Sequence, residues 1–504
     1  MKKFLFFLLF LVLFILGLFY MLLFTNIGNK AIANYIENSF NNKQNDFKLK
    51  FDTFLISPND VNLVANINES SKIKIIGKIN SILDLKGEFT YKIDINDLSI
   101  FNNLAQRELK GSLIANGDFL TKDGISTIIG ITNLANSSSR YEINLNKSNL
   151  NSLNLDVKDA NIDEIFALIN EPIYSSGKLN LKAQILKNSD NSFNGDILAN
   201  INSGKINNKV VEKEFNFPIK QTISYNINSS NKLEDTKISS DIKVASSLAN
   251  LEMNNLIINL TTKEINSNYI LDILNLRQIE EFINIALNGN LKVVGNIDKN
   301  QKTLKVDGNS NIAGGTANFA LLDNNLDLKV NNANSLKLLH LLNKDEFFNS
   351  NLSLDLNYNL ISKIGKLNLD IKNGNFVKNS FIQKVEELTK IDLSKEIFET
   401  GNVASNIDNK KIYSNLNLNS KKSDIKSKEA FIDLEKNIID TKLDINLNKN
   451  RFSVKLEDDL NKPIIVVNVE ELLKNILEKK LDKYLNKEEN SDKKELLKGI
   501  KSLF

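Results

Sequence analysis

The 504-residue chain contains no cysteine and no tryptophan, one histidine, four prolines and twenty glycines. Without cysteine there is no disulfide framework, no thiolate nucleophile and no cysteine-ligated metal. The lone histidine, His340 in the run SLKLLHLL, would leave a zinc ion to carboxylates alone, which zinc sites rarely use. Its helical setting predicts a packed or half-exposed side chain and not a general base. No nucleophile elbow, phosphate-binding glycine loop or HExxH is present. An excess of one charge is missing too: 64 basic against 61 acidic residues leave a formal net of +3. That argues against nucleic acid, which demands a basic face, as a partner. Scarce proline and the lack of Gly/Ser-rich stretches leave no evident linker. The sequence predicts a non-enzymatic protein with no cofactor and no metal.

Long apolar runs are also absent, with one exception. Phe4 to Phe24, FLFFLLFLVLFILGLFYMLLF, is twenty-one residues without a charge. As a helix it spans roughly 31 Å, enough for a hydrocarbon core. Lys2 and Lys3 before it favour a cytoplasmic N-terminus. A cleaved secretory signal, with Ala31-Ile32-Ala33 as its small-residue site, would carry an apolar core of about 7–15 residues. This run is longer, so an uncleaved single-pass anchor is expected over 1–28, with the body exported in either case. A helical connector over 29–46 places Ile32, Tyr35, Ile36 and Phe40 on one face.

From Phe47 the pattern changes to period two and keeps it. Phe47, Leu49 and Phe51 alternate with Lys48, Lys50 and Asp52, the signature of a strand buried on one face. The clearest ladders are Leu179, Leu181, Ala183 and Ile185; Leu326, Leu328 and Val330; Leu352, Leu354, Leu356, Tyr358 and Leu360; and Leu367, Leu369 and Ile371. Asp-Gly at 123 and 307, Asn-Gly at 116, 194, 288 and 373, and Gly-Gly at 314 predict hairpin turns between strands. A strand, a short helix and a new strand recur from Ile95, Ala160, Leu274 and Ala333 at irregular spacing, with room for a degenerate intervening copy. Val469 to Leu485 carries Leu472, Leu473, Ile476, Leu477, Leu481 and Leu485 at helical spacing. It predicts a helix capping the sheet's open end, or one that touches a membrane or another protein. Acidic pairs such as Asp433 with Glu435 and Asp440 with Asp444 sit at alternation spacing, as on a solvated strand face.

The predicted fold is mainly β: a transmembrane helix, then an elongated, curled antiparallel sheet with short interspersed helices and a C-terminal amphipathic helix. The expected divisions are 1–28 anchor, 29–46 connector, 47–372 repeated sheet body, 373–468 C-terminal region and 469–504 amphipathic tail. A one-sided apolar sheet must cover that face. It is either a closed core or an open trough for acyl chains, and pattern alone does not separate them. Candidate trough-lining residues are Leu179, Leu181, Leu326, Leu328, Leu352, Leu354, Leu356, Tyr358, Leu367 and Leu369.

The stretch from Asn373 through Leu447, with Phe431-Ile432-Asp433-Leu434 leading to Asp440, resembles the C-terminal region of the AsmA-like family, which includes TamB-type proteins. The anchor, the β-rich body and the Lys/Glu-rich tail are similar to that family in order. Glu429-Ala430 stands where the family pattern usually has a glycine. The resemblance implies a bacterial inner-membrane protein whose body, a repeating β-groove, lies in the periplasm. It implies phospholipid transport or outer-membrane maintenance, with phospholipid acyl chains and an outer-membrane or envelope protein as partners. It carries over no catalytic residues. The rival expectations are a periplasmic scaffold for outer-membrane protein assembly with a closed core, and an envelope glycan hydrolase with two carboxylates facing across a cleft.

Overall fold

The computed structural model describes residues 20–21, 23–43, 48–68, 70–81, 86–147, 149–216, 218–485 and 495. The expected anchor Phe4–Phe24 and the tail beyond 485 fall almost wholly outside these residues. Among the described residues no helix is long and apolar enough to cross a membrane. The chain divides into two compact units, Met1–Lys263 and Glu264–Phe504.

The first unit begins with helix α1 (Asn26–Lys43) and continues through β1 (Leu49–Ile56), β2 (Asp60–Ile67), β3 (Ser71–Ser81), β4 (Lys86–Ile95) and β5 (Leu113–Lys122). There follow β6 (Ile125–Thr132), β7 (Ser138–Asn146), β8 (Asn149–Asn161), β9 (Ser175–Lys187) and β10 (Phe193–Ile206). β11 (Ser224–Glu234), β12 (Lys237–Ser246) and β13 (Asn250–Asn259) complete it. The second unit runs β14 (Ile265–Ile273), β15 (Leu291–Lys299), β16 (Leu304–Ile312), β17 (Gly315–Leu322) and β18 (Asn325–Asn334). Next come β19 (Phe348–Asn359), β20 (Ile364–Phe376), β21 (Phe398–Asp408) and β22 (Lys411–Asn419). β23 (Ser423–Asp433), β24 (Ile438–Leu447), β25 (Asn450–Asp459) and β26 (Ile464–Asn468) end it. Within each unit every described pairing is antiparallel and joins strands consecutive in sequence. The mainly β expectation holds, and period-two burial is its cause: β11 alternates exposed and half-buried residues along its whole length.

In such a meander, odd-to-even and even-to-odd connections lie at opposite ends of the strands. The helical connectors all follow even-numbered strands. In the first unit a 3₁₀ turn (Leu98–Phe101) runs into α2 (Asn102–Ala105), and α3 (Ile162–Leu168) and α4 (Asn208–Phe215) follow β8 and β10. In the second, a 3₁₀ turn (Leu276–Ile279) runs into α5 (Glu280–Ile283), and α6 (Ser335–Leu341) and α7 (Ser380–Thr389) follow β18 and β20. The four expected strand–helix–strand copies are all present. α4 occupies the place of the degenerate intervening copy, and α7 is a further one. The opposite ends of the strands close by tight turns, where Asp123, Asp235, Asp323, Asn409 and Asn437 take the left-handed conformation that Asp and Asn tolerate.

Several glycine pairs expected in turns lie inside strands instead. Gly117, Gly195, Gly308 and Gly374 are interior to β5, β10, β16 and β20, while Gly124 and Gly314 do occupy turns, at φ of +79° and +82°. The strand glycines serve close approach, not chain reversal. A Cβ on Gly117 would fall on the Ile129 carbonyl oxygen, and one on Gly374 on the Phe348 ring.

α1 shields the free edge of β1. The Asn29 side-chain amide donates to the Ile56 carbonyl at 2.9 Å and accepts from the Ile56 N–H at 2.9 Å. Asn41 does the same for Leu49, at 3.0 and 2.7 Å. Between them Glu37 Oε1 accepts the Phe51 N–H at 2.6 Å. Two side-chain amides thus stand in for a neighbouring strand on an edge that would otherwise present unpaired backbone groups. The docking face of α1 follows Asn29, Ala33, Glu37 and Asn41 at four-residue spacing. The expected apolar face is corrected accordingly, because Tyr35 is 73% exposed. At the other end of the chain, α8 (Glu470–Leu485) buries Leu472 but leaves Leu473 54% exposed, so only part of the expected face packs.

Candidate functional site: the apolar face of the meander

Directly opposed residues in an antiparallel pair share a face, so register decides which side chains form a common surface. In the second unit Leu328 opposes Phe319 on one side and Leu356 on the other. Leu356 opposes Leu367, Leu367 opposes Ser405, and Ser405 opposes Ser414. A parallel row runs Val330, Leu354, Leu369 and Val403, while Leu326 faces Tyr358 and Leu352 faces Ile371. Leu326, Leu328, Leu352, Leu354, Leu356, Tyr358, Leu367 and Leu369 therefore share one patch across β18, β19 and β20. Leu179 and Leu181 lie in the first unit on β9. They oppose Ala160 and Val157 of β8, and Ile201 and Ala199 of β10. The ten candidate residues thus form two patches, one in each unit.

Burial along these strands is graded. Toward the helical ends Leu352 and Ile371 are each 7% exposed and Ala333 is fully buried. There Leu338 of α6 packs against the cluster of Val330, Ala333 and Leu352. Leu326, Leu328, Leu354, Leu356, Tyr358, Leu367 and Leu369 are only half-buried, as are Leu179 and Leu181. Beyond them, at the tight-turn end, Ile361 and Ile364 are largely exposed. Each methylene still in contact with water on this face would gain about 0.8 kcal/mol on being covered. Cα approach and backbone pairing leave no charged side chain in these rows, because the lysines and aspartates alternate onto the other face.

Aromatic rings cross the same face over the strand glycines. Tyr91 of β4, Gly117 of β5, Gly130 of β6 and Tyr141 of β7 are consecutive partners in one row. The two phenol oxygens meet at 2.6 Å, and the Tyr91 hydroxyl donates to the Ile129 carbonyl at 3.3 Å. In the second unit the row runs Tyr269, Gly295, Gly308 and Phe319, and the Tyr269 hydroxyl donates to the Asp307 carbonyl at 3.0 Å. Burial against these rings raises the Tyr91 phenol well above its ordinary range, with the Tyr141 hydrogen bond adding to it, and raises Tyr269 in the same direction. The sequence pattern shows no sign of these crossings, since Gly117 and Gly308 carry a turn signature and Gly130 and Gly295 carry none.

His340 has a 70% exposed side chain 3.9 Å from Glu346. Asp433 is not on a solvated face: it is 3% exposed, and its Oδ1 accepts the Glu435 and Lys436 N–H groups, each at 3.0 Å. Those backbone donors hold its carboxyl below the usual range. The Ile-Asp-Leu step is thus the closing turn of the β23–β24 hairpin. Asp440 and Asp444 are exposed and paired with Lys455 and Lys442. Among the described residues no group of three or more His, Asp or Glu side chains could hold a metal ion. Clefts of about 590 and 600 Å³ occur at β18–β21 and at β23–β26, but most of their lining comes from the polar face, including Asp327, Lys366 and Asp408 in the first. No protein-family model, no curated protein and no solved structure matches the chain.

Proposed function

We propose that this is a non-enzymatic protein, anchored in a bacterial inner membrane by Phe4–Phe24, whose β body in the periplasm holds phospholipid acyl chains. Its role is lipid transport or upkeep of the outer membrane and envelope, as the resemblance to AsmA-like and TamB-type proteins implies. The observation that carries the reading is the half-buried apolar face over β18–β20, whose rows hold no charged side chain. An outer-membrane or envelope protein is its second partner. The scaffold reading, with a closed dry core, draws support from one region: Ile382 and Val385 of α7 are completely buried in one cluster with Phe398 and Val454. That cluster takes in Ile371 and packs Leu369 of β20, but Leu354 and Leu356 of β19 are not part of it.

The test is photo-crosslinking of the full-length chain reconstituted into phospholipid vesicles that carry a photoreactive acyl chain. Adducts on the apolar faces of β8–β10 or β18–β20 are expected. A chain that acquires adducts only on the anchor segment would overturn the lipid reading in favour of the scaffold.

A further inference from the structure

The last strand of the second unit, β26, carries a run that does not alternate. Ile464-Ile465-Val466-Val467 is apolar on both faces, a pattern that belongs to a strand covered on two sides and not to a sheet edge. Inward, Ile465 and Val467 pack against the buried cluster that holds Phe452, Val454 and Leu472. Outward, Ile464 is 52% and Val466 47% exposed. Their cross-strand neighbours on β25 are Glu457 and Lys455, which are ion-paired with each other and give no apolar cover. Among the described residues β26 pairs with β25 alone, and no other hydrogen bond reaches its backbone. α8 does not close this edge. It turns back over β25, where Glu471 meets Arg451 at 3.6 Å and Lys479 donates to Asn450 Oδ1 at 3.5 Å.

The chain's first strand is treated in the opposite way, since the amides of Asn29 and Asn41 already occupy the edge of β1. A second copy approaching this chain therefore finds β1 shielded and β26 open. Two antiparallel five-residue strands overlap fully in a single register. For β26 against itself, that register sets Ile464 against Asn468, Ile465 against Val467, and Val466 against its own counterpart. Carried two residues past each strand end, it brings Lys462 against Glu470 of the other copy. Both side chains are exposed, and among the described residues neither has an ion-pair partner in its own chain. The edge is complementary to itself, with apolar residues meeting on both faces and opposite charges meeting at both ends.

We propose that β26 pairs edge to edge with β26 of a second copy of this chain, antiparallel about Val466, to give a two-fold symmetric dimer. The inference is independent of the lipid reading. A single open edge closes the pair and stops growth there, whereas an open edge at β1 as well would let copies add without limit. Pro463 ends the strand on one side and α8 begins on the other, so the pairing is confined to five residues and a slip in register leaves apolar side chains unmatched. Five residues a side fall short of the roughly 20–30 that a stable complex uses, which places the dimer among weak, concentration-dependent ones.

The chain has no cysteine, so single introduced thiols report the register in the full-length protein, held in an excess of detergent micelles. With Val466→Cys the two thiols face one another across the axis, at the Cα spacing of about 4.5–5.5 Å of an antiparallel pair, which a disulfide spans. With Ile464→Cys, on the same face, they stand four residues apart along the strands, roughly 14 Å. Under mild oxidation Val466→Cys should form a covalent dimer at least five times faster than Ile464→Cys. Light scattering of the unsubstituted chain should show a mass that rises from one copy toward two with concentration. Lys462→Glu or Glu470→Lys sets like charges opposite one another and should weaken dimerisation roughly 3- to 10-fold, and the double variant should restore it. All four positions are exposed, so the substitutions leave the core untouched. A mass of one chain at every concentration would overturn the proposal and show that β26 is covered from within the chain or by a different partner. Equal cross-linking at the two thiol positions, or no recovery in the double charge variant, would overturn it as well.

Discussion

Removing the side-chain amides that α1 lends to β1 tests whether that helix is an integral edge of the first unit. Asn29 makes two hydrogen bonds to the Ile56 backbone and is 2% exposed; Asn41 makes two to Leu49 and is half-buried. A net contribution of about 0.5–1.5 kcal/mol per bond gives about 1–3 kcal/mol for Asn29→Ala. Asn41→Ala falls nearer the lower end, because water can replace its amide. The two contacts lie at opposite ends of the stretch of α1 that docks, roughly 18 Å apart along the helix. If α1 docks as a unit, the second substitution costs less than the first, and the double variant falls short of the sum. Amide hydrogen exchange on the β1 residues that pair with β2 reports this. These amides do not touch α1, so their acceleration measures loss of the edge and not of one bond. Exchange faster by roughly 5- to 150-fold is expected in the Asn29→Ala chain. An exposed β1 edge should also promote self-association as concentration rises, seen by size exclusion. Unchanged β1–β2 exchange in the double variant would show that α1 merely rests on the sheet.

The aromatic crossings make a graded prediction. Gly117→Ala places a methyl on the Ile129 backbone, whereas Gly130→Ala meets side-chain atoms, the phenol ends of Tyr91 and Tyr141, which can shift where a backbone cannot. Denaturant unfolding should show Gly117→Ala losing about 3 kcal/mol or more and Gly130→Ala about 1 kcal/mol; the reverse order would contradict the geometry. For Asp433 the folded carboxyl titrates below its unfolded value because the Glu435 and Lys436 N–H groups stabilise the anion. Its contribution is therefore complete above the unfolded pKa of about 4 and fades as pH falls through the depressed folded value. Asp433→Asn keeps an acceptor oxygen but should flatten that part of the acid-unfolding profile; an unchanged profile would remove Asp433 from it.

Period-two alternation alone determined that Leu352, Leu354, Leu356 and Tyr358 lie on one strand face, since side chains of successive residues point to opposite sides whatever the partner strand is. It also located the helical connectors at Ile95, Ala160, Leu274 and Ala333, where alternation gives way to helical spacing. What the tertiary structure decided was everything that depends on register. Gly117 and Gly308 carry a turn signature in the sequence and become strand floor, because the rings of neighbouring strands need the room. Asp433 looks like one of many alternating carboxylates until the hairpin folds two backbone N–H groups onto it. The docking line of α1 is polar, and a search for apolar periodicity passes over Asn29, Glu37 and Asn41; only the unpaired edge of β1 gives those amides their task. The pairing of Leu181 with Val157 and of Leu354 with Val330 rests on hydrogen bonds between strands, which a single chain of letters does not specify. Sequence fixes which way a side chain faces along its own strand, and only pairing fixes which side chains become neighbours.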